Sequence, residues 1–132
     1  MLGATVGGAS PGILEVLSRF SHFIGIGYQI KDDLADYLGH KGDIAVRKFS
    51  ILLSVLEKHL NPQEKEVLMG AFRTDFFETI YEMIEKYQIV QLTKELLVNT
   101  INEAINCLGS LPNLGLKLAL HEILGKVFKD YI

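Results

Sequence analysis

Four side chains that carry oxygen ligands lie close together in one short stretch of the sequence: Gln29, Asp32, Asp33 and Asp36. On an α-helix each residue advances by about 100°, so all four would lie within an arc of about 100° on one face. Clustered carboxylates repel one another unless a cation lies among them. Oxygen-only ligands select hard cations, and Mg²⁺ usually binds one or two carboxylates together with substrate phosphates. The pattern predicts a helix face that binds a Mg²⁺–phosphate group; the alternative is a solvated acidic face.

The neighbours of this face extend the prediction from a metal to a diphosphate. Gly25 falls on the same face one turn earlier, where a missing side chain leaves room for a ligand, and His22 borders that space. Three cations follow the carboxylates closely, namely Lys41, Arg47 and Lys48. At a surface they would form salt bridges of little energy. Across from a metal cluster they would instead neutralise the outer oxygens of a phosphate.

Helix start and stop signals predict an all-α chain. Ser10 and Pro11 form an N-cap followed by proline at the first helical position, and Gly39 suits the C-terminal end of that helix. Asn61-Pro62-Gln63-Glu64 resembles a capping box. No stretch alternates with period two for long enough to predict a strand. The predicted helices span about residues 11–38, 44–59, from 62, from about 75, 91–108 and 114–131.

Length and composition predict one helical domain over residues 1–132, because 48% of the chain is hydrophobic and can form a core. The net charge of −3 argues against nucleic-acid binding. Cys107 is the only cysteine, which is typical of a reducing, cytoplasmic location and excludes an internal disulfide. The apolar run from Phe23 to Ile30 is too short for a transmembrane segment, and no secretory signal is visible.

Two segments resemble a known family. Residues 25–36 resemble the second aspartate-rich motif of the trans-polyprenyl diphosphate synthases, Gly-x-x-Phe-Gln-x-x-Asp-Asp-x-x-Asp, with Tyr28 at the aromatic position. Residues 43–50 resemble the family's following Asp-Ile-x-x-Gly-Lys-x-Thr, with Arg47 in place of glycine and Ser50 in place of threonine. The small residues between Gly3 and Ala9 are similar to the helix that precedes the motif in the family.

The resemblance implies an isoprenoid-synthase fold, an all-α fold around a central cavity. It also implies a Mg²⁺-dependent prenyltransferase that condenses isopentenyl diphosphate with an allylic diphosphate. Asp32 would hold Mg²⁺ on the allylic diphosphate, and Asp33 and Asp36 would bind the metal directly or through water.

The same resemblance assigns the diphosphate contacts to basic residues. Lys48 and Lys41 would bind the diphosphate, and Gln29 would line the cavity near the reacting carbons. Metal and lysine charge would stabilise the departing diphosphate and lower the barrier to an allylic carbocation. An apolar cavity would protect that cation from water.

The sequence also departs from the family pattern. It carries only the second of the family's two aspartate-rich motifs, so it looks like the C-terminal half of a synthase. We expect the isolated chain to be inactive and to work as a homo- or hetero-oligomer. One alternative is a non-catalytic subunit of a heteromeric prenyl synthase. Another follows from the short loop after Asp36, which is similar to isoprenyl transferases that modify a peptide pheromone in quorum sensing.

Overall fold

The computed structural model describes residues 11–39 and 50–131. These residues form α-helices and no strand, which confirms the all-α prediction. None of the helices in these ranges combines the length and the hydrophobicity needed to cross a membrane. The described helices are α1 (Pro11–Gly39), α2 (Ser50–His59), α3 (Pro62–Arg73), α4 (Phe77–Lys86), α5 (Ile89–Leu108) and α6 (Leu114–Val127).

Most of the predicted helix boundaries agree with the structure to within a few residues. The first helix begins at Pro11 and includes Gly39, one residue beyond the predicted end. The second ends at His59 as predicted, and the predicted residues 44–49 lie outside the described ranges. The last helix begins at Leu114 and ends four residues before the predicted Tyr131.

The capping box predicted at the start of α3 is present in full. The Asn61 side chain accepts a hydrogen bond from the Glu64 backbone N–H at 2.8 Å, and the Glu64 carboxylate accepts one from the Asn61 backbone N–H at 3.3 Å. The Tyr87 hydroxyl donates a further hydrogen bond to Glu64. This bond, followed by the bond from Asn61, lowers the pKa of the Glu64 carboxyl. The box therefore joins the first turn of α3 to the end of α4 through an ionised group.

Two residues with positive φ allow sharp turns on either side of α4. Asp75 has φ 55° and Gln88 has φ 52°, a left-handed conformation that costs energy for residues other than glycine. Because Asp75 turns the chain, α4 begins at Phe77, two residues after the start that the sequence predicts. Gln88 separates α4 from α5 by a two-residue turn, so α5 begins at Ile89, two residues before the start predicted from the apolar spacing.

The described chain divides into two compact units. The first consists of residues 11–28 and 98–131, and the second of 29–39 and 50–97. The prediction of a single domain over residues 1–132 stays a prediction. The candidate carboxylates belong to the second unit, whose fully buried side chains include Ile30, Leu34, Tyr37, Leu52, Leu56, Ile80, Ile84, Ile89 and Leu97.

One buried polar atom in the second unit has no hydrogen-bond partner among the described residues. The Thr93 side chain on α5 has no exposed surface, and its hydroxyl has no hydrogen-bond partner within the described chain. A buried polar group without a partner loses its hydration and gains no bond in return.

We therefore expect Thr93→Val to stabilise the protein. Valine keeps the shape of threonine and removes the unsatisfied hydroxyl, so the free energy of unfolding should rise by about 1–2 kcal/mol in urea denaturation. Thr93→Ser, which keeps the hydroxyl and removes a methyl group, should lower it. A loss of stability in Thr93→Val would show that the hydroxyl has a partner after all.

Candidate functional site

The rotation of α1 in the second unit is set by its buried side. Ile30, Leu34 and Tyr37 are almost fully buried there. With about 100° per residue, the centre of this stripe lies about 65° from Asp33 and about 165° from Asp32. The acidic face therefore lies beside and opposite the buried stripe of α1, and its members differ in their distance from the core.

The carboxylates differ in exposure as this rotation requires. Asp32 is exposed, as is Gln29, whereas Asp33 and Asp36 are half-buried. The structure thus places all four predicted residues on one helix, with Asp32 and Asp36 one turn apart. In the described part of the chain no other element buries Asp32.

Asp33 has a specific partner on another helix. Its Oδ2 accepts a hydrogen bond from the backbone N–H of Ile51 at 2.8 Å. Ile51 is the second described residue of α2. Asp33 therefore links α1 to α2, a contact that the sequence analysis did not anticipate.

The aspartates of α1 do not form a complete metal site by themselves. Among the described residues, no group of three or more His, Cys, Asp or Glu side chains is arranged to hold a metal ion on its own. Two carboxylates one turn apart fit Mg²⁺, which completes its coordination with waters and phosphate oxygens. Of the predicted diphosphate ligands, Lys41 and Lys48 lie outside the described residues.

Gly25 and His22 lie on the part of α1 that belongs to the first unit. Gly25 is exposed, and a Cβ atom built there would meet nothing within 4 Å. His22 is also exposed, with its ring centroid 5.8 Å from that of Phe23. The surface at Gly25 is therefore open, and its predicted role beside a ligand stays a prediction.

Tyr37, next to Asp36, attaches α1 to α4. Its hydroxyl donates to a carboxylate oxygen of Glu85 at 3.0 Å, and its ring centroid lies 6.0 Å from that of Tyr81. Burial, followed by the hydrogen bond to Glu85, raises the pKa of the Tyr37 phenol. The tyrosine lies about 100° around the helix from Asp36, so it holds α1 without entering the acidic face.

An open groove of about 770 Å³ lies beside this attachment, and sequence reasoning missed it. Three glutamates that line the groove recur at helical spacing on α4. This spacing is the feature of the sequence that could have indicated a shared acidic face there. The aspartates of α1 do not line this groove. Its lining residues are Tyr37, Glu78, Tyr81, Glu82, Glu85 and Lys86.

Comparison with known proteins adds no relative: no family model, no curated protein and no solved structure matches this chain.

The attachment of α1 through Tyr37 predicts a loss of stability at alkaline pH. Because the phenol has a higher pKa in the folded than in the unfolded chain, where it is about 10, its contribution is complete below pH 10. It is lost as the pH rises further. Urea denaturation between pH 8 and 11 should show this decline, and Tyr37→Phe should reduce it. The decline should persist in Tyr131→Phe; an equal reduction in that control would contradict the assignment to Tyr37.

Proposed function

We propose that this chain supplies the second diphosphate and Mg²⁺ site of a polyprenyl diphosphate synthase, a prenyltransferase of isoprenoid biosynthesis that works in the cytoplasm. The observation that carries the proposal is the placement of Asp32 and Asp36 one turn apart on the outward side of a continuous helix. These are aspartates of the segment that resembles the family motif.

The geometry supports binding of a metal–diphosphate group more than binding of a bare metal. Side chains at i and i+4 on a helix are neighbours, with about 5–6 Å between their Cβ atoms, so Asp32 and Asp36 can reach one cation. Two carboxylates leave several coordination positions for phosphate oxygens and water. The exposure of Asp32 lets a ligand as large as a diphosphate approach.

The proposed chemistry is the departure of a diphosphate from an allylic carbon. When bound, Mg²⁺ would neutralise charge on the leaving diphosphate. Asp32 and Asp36 would hold the metal ion. Lys48 and Lys41 would bind the outer oxygens of the diphosphate, and Gln29 would lie near the reacting carbons. The acceptor is isopentenyl diphosphate in a polyprenyl synthase and a peptide in the pheromone-modifying transferases.

The first test is stabilisation by the metal and the diphosphate together. Geranyl diphosphate with Mg²⁺ should raise the melting temperature, because a ligand at a hundred times its Kd stabilises the folded state by about 2.7 kcal/mol. Asp32→Asn should abolish this shift, since it removes a charged ligand from the exposed position. Differential scanning fluorimetry with Mg²⁺ alone, diphosphate alone and both together measures it.

A pair of glycine variants serves as a matched control. Gly25 and Gly125 are both exposed within helices, and an added Cβ at either would meet nothing within 4 Å. Gly25→Ala and Gly125→Ala should each stabilise the free protein by about 1 kcal/mol. Both variants should keep the ligand-induced shift, because the proposed metal ligands Asp32 and Asp36 lie in the second unit and both glycines lie in the first. An unchanged melting temperature of the parent protein with both ligands would argue for a solvated acidic face.

A second candidate, a non-catalytic subunit of a heteromeric prenyl synthase, is favoured by the surface of α6. This helix carries apolar residues on all sides, which is typical of a helix covered by other elements. Leu114 is 68% exposed and Leu118 is 59% exposed. Exposed apolar surface of this kind marks interaction sites in many soluble proteins.

This candidate predicts association that does not depend on Mg²⁺. Sedimentation velocity over a range of concentrations, with Mg²⁺ or with a chelator, should show the same oligomer in both conditions. Leu118→Lys should shift the population toward monomer, because it places a charge on the apolar surface of α6. Ala119→Lys, which places the same charge at an exposed position about 100° around the helix from Leu118, is the control. A monomer at the highest concentration would contradict self-association through α6.

A further inference from the structure

We propose that the groove beside α4 is a docking site for a basic segment of a partner protein, which places arginine side chains on the glutamates and tyrosines of the groove. The lining residues come from α1 and α4 and belong to the second unit. This surface is separate from the proposed diphosphate site, because the aspartates of α1 do not line it. Failure of either proposal therefore leaves the other standing.

The glutamates of the groove form one stripe along α4. Glu78, Glu82 and Glu85 are exposed and follow one another at spacings of four and three residues. With a rise of 1.5 Å per residue, these positions extend over about 10 Å of the helix. Like charges at such spacings repel one another and destabilise a helix. A positively charged occupant removes this repulsion, so the stripe favours a basic partner.

Within the described residues, two of these carboxylates have no ion-pair partner. Glu78 and Glu82 form neither a hydrogen bond nor an ion pair with the part of the chain that the structure describes. Lys86, which also lines the groove, lies 3.9 Å from a carboxylate oxygen of Glu64 on α3 and 5.2 Å from the centroid of the Tyr87 ring. Its ammonium group therefore contacts the end of α4 and the start of α3, and a partner can supply the cation for the stripe.

Two tyrosine rings form the aromatic part of the groove. Tyr37 and Tyr81 both line it, with ring centroids 6.0 Å apart. The Tyr37 hydroxyl donates to Glu85 at 3.0 Å and so holds one carboxylate of the stripe in place. The planar guanidinium of arginine stacks on aromatic rings and pairs with carboxylates, whereas the ammonium of lysine binds as a point charge. Rings and carboxylates together therefore favour arginine.

The shape of the groove favours a segment of a protein over a small ligand. The groove measures about 770 Å³ and is open to solvent, whereas a small-molecule site buries most of the surface of its ligand. Positions 78 and 82 lie about 6 Å apart along the helix axis. In an extended chain, side chains on one face are two residues and about 7 Å apart. An extended Arg-x-Arg sequence therefore matches Glu78 and Glu82.

The test uses a synthetic peptide as the probe. Fluorescence anisotropy gives the affinity for a fluorescent peptide that contains Arg-Ala-Arg, and a peptide with Gln-Ala-Gln in its place is the uncharged comparison. Glu82→Gln should lower the affinity for the arginine peptide by about fivefold, because it removes one ion pair. Glu95→Gln, an exposed change of the same charge on α5 of the same unit, is the matched control. It should change the affinity by less than about twofold, because salt screens distant charges.

Variants of Tyr81 test the aromatic contribution. Tyr81→Leu should lower the affinity by about threefold, because it removes the ring on which a guanidinium stacks. Tyr81→Phe, which keeps the ring, should preserve the affinity. The melting temperature of each variant shows whether the fold is retained, and Glu82→Gln tests the site even where Tyr81→Leu does not fold.

Three outcomes would overturn the proposal. The first is equal binding of the arginine and glutamine peptides, or binding of neither, by the unmodified protein. The second is an equal loss of affinity in Glu82→Gln and Glu95→Gln, which would show attraction to the net charge alone. The third is self-association that Glu82→Lys abolishes in sedimentation velocity while the arginine peptide does not bind. That result would assign the groove to a second copy of this chain.

Discussion

The burial of Ile30, Leu34 and Tyr37 along one side of α1 is the constraint on which the candidate site depends. Each of these side chains has almost no exposed surface, so the helix cannot rotate without exposing apolar area at about 25 cal/mol per Å². Because the residues of a helix turn together, this burial also fixes the directions of Asp32 and Asp33. The core thereby decides which aspartate meets another helix and which meets the solvent.

A second consequence is that the charges of the acidic face are not equivalent. Asp33 lies against the described start of α2, where its Oδ2 accepts a hydrogen bond from the Ile51 backbone N–H. Asp32 and Asp36 receive no such contact from α2 and face outward by different amounts. The three carboxylates of the motif thus differ in their surroundings: one contacts α2, and two do not.

The local features of this fold could be predicted from the sequence, and the contacts between helices could not. The capping box of Asn61 and Glu64 depends on groups three residues apart, so it can be recognised in the sequence itself. The contact of Asp33 joins positions 18 residues apart, and that of Tyr37 joins positions 48 apart. Helical spacing identifies the residues that share a face, but it does not identify the element that the face meets. The helical acidic face was therefore predictable, whereas the contact of Asp33 with α2 and the groove beside Tyr37 were not.

The exposure of Asp32 has a chemical implication that separates binding from turnover. An allylic cation survives only where water is excluded, and binding of a hydrated Mg²⁺–diphosphate group has no such requirement. The described residues leave Asp32 exposed. The described residues therefore permit the binding step of the proposed function, whereas turnover requires a cover over the reacting carbons that these residues do not supply.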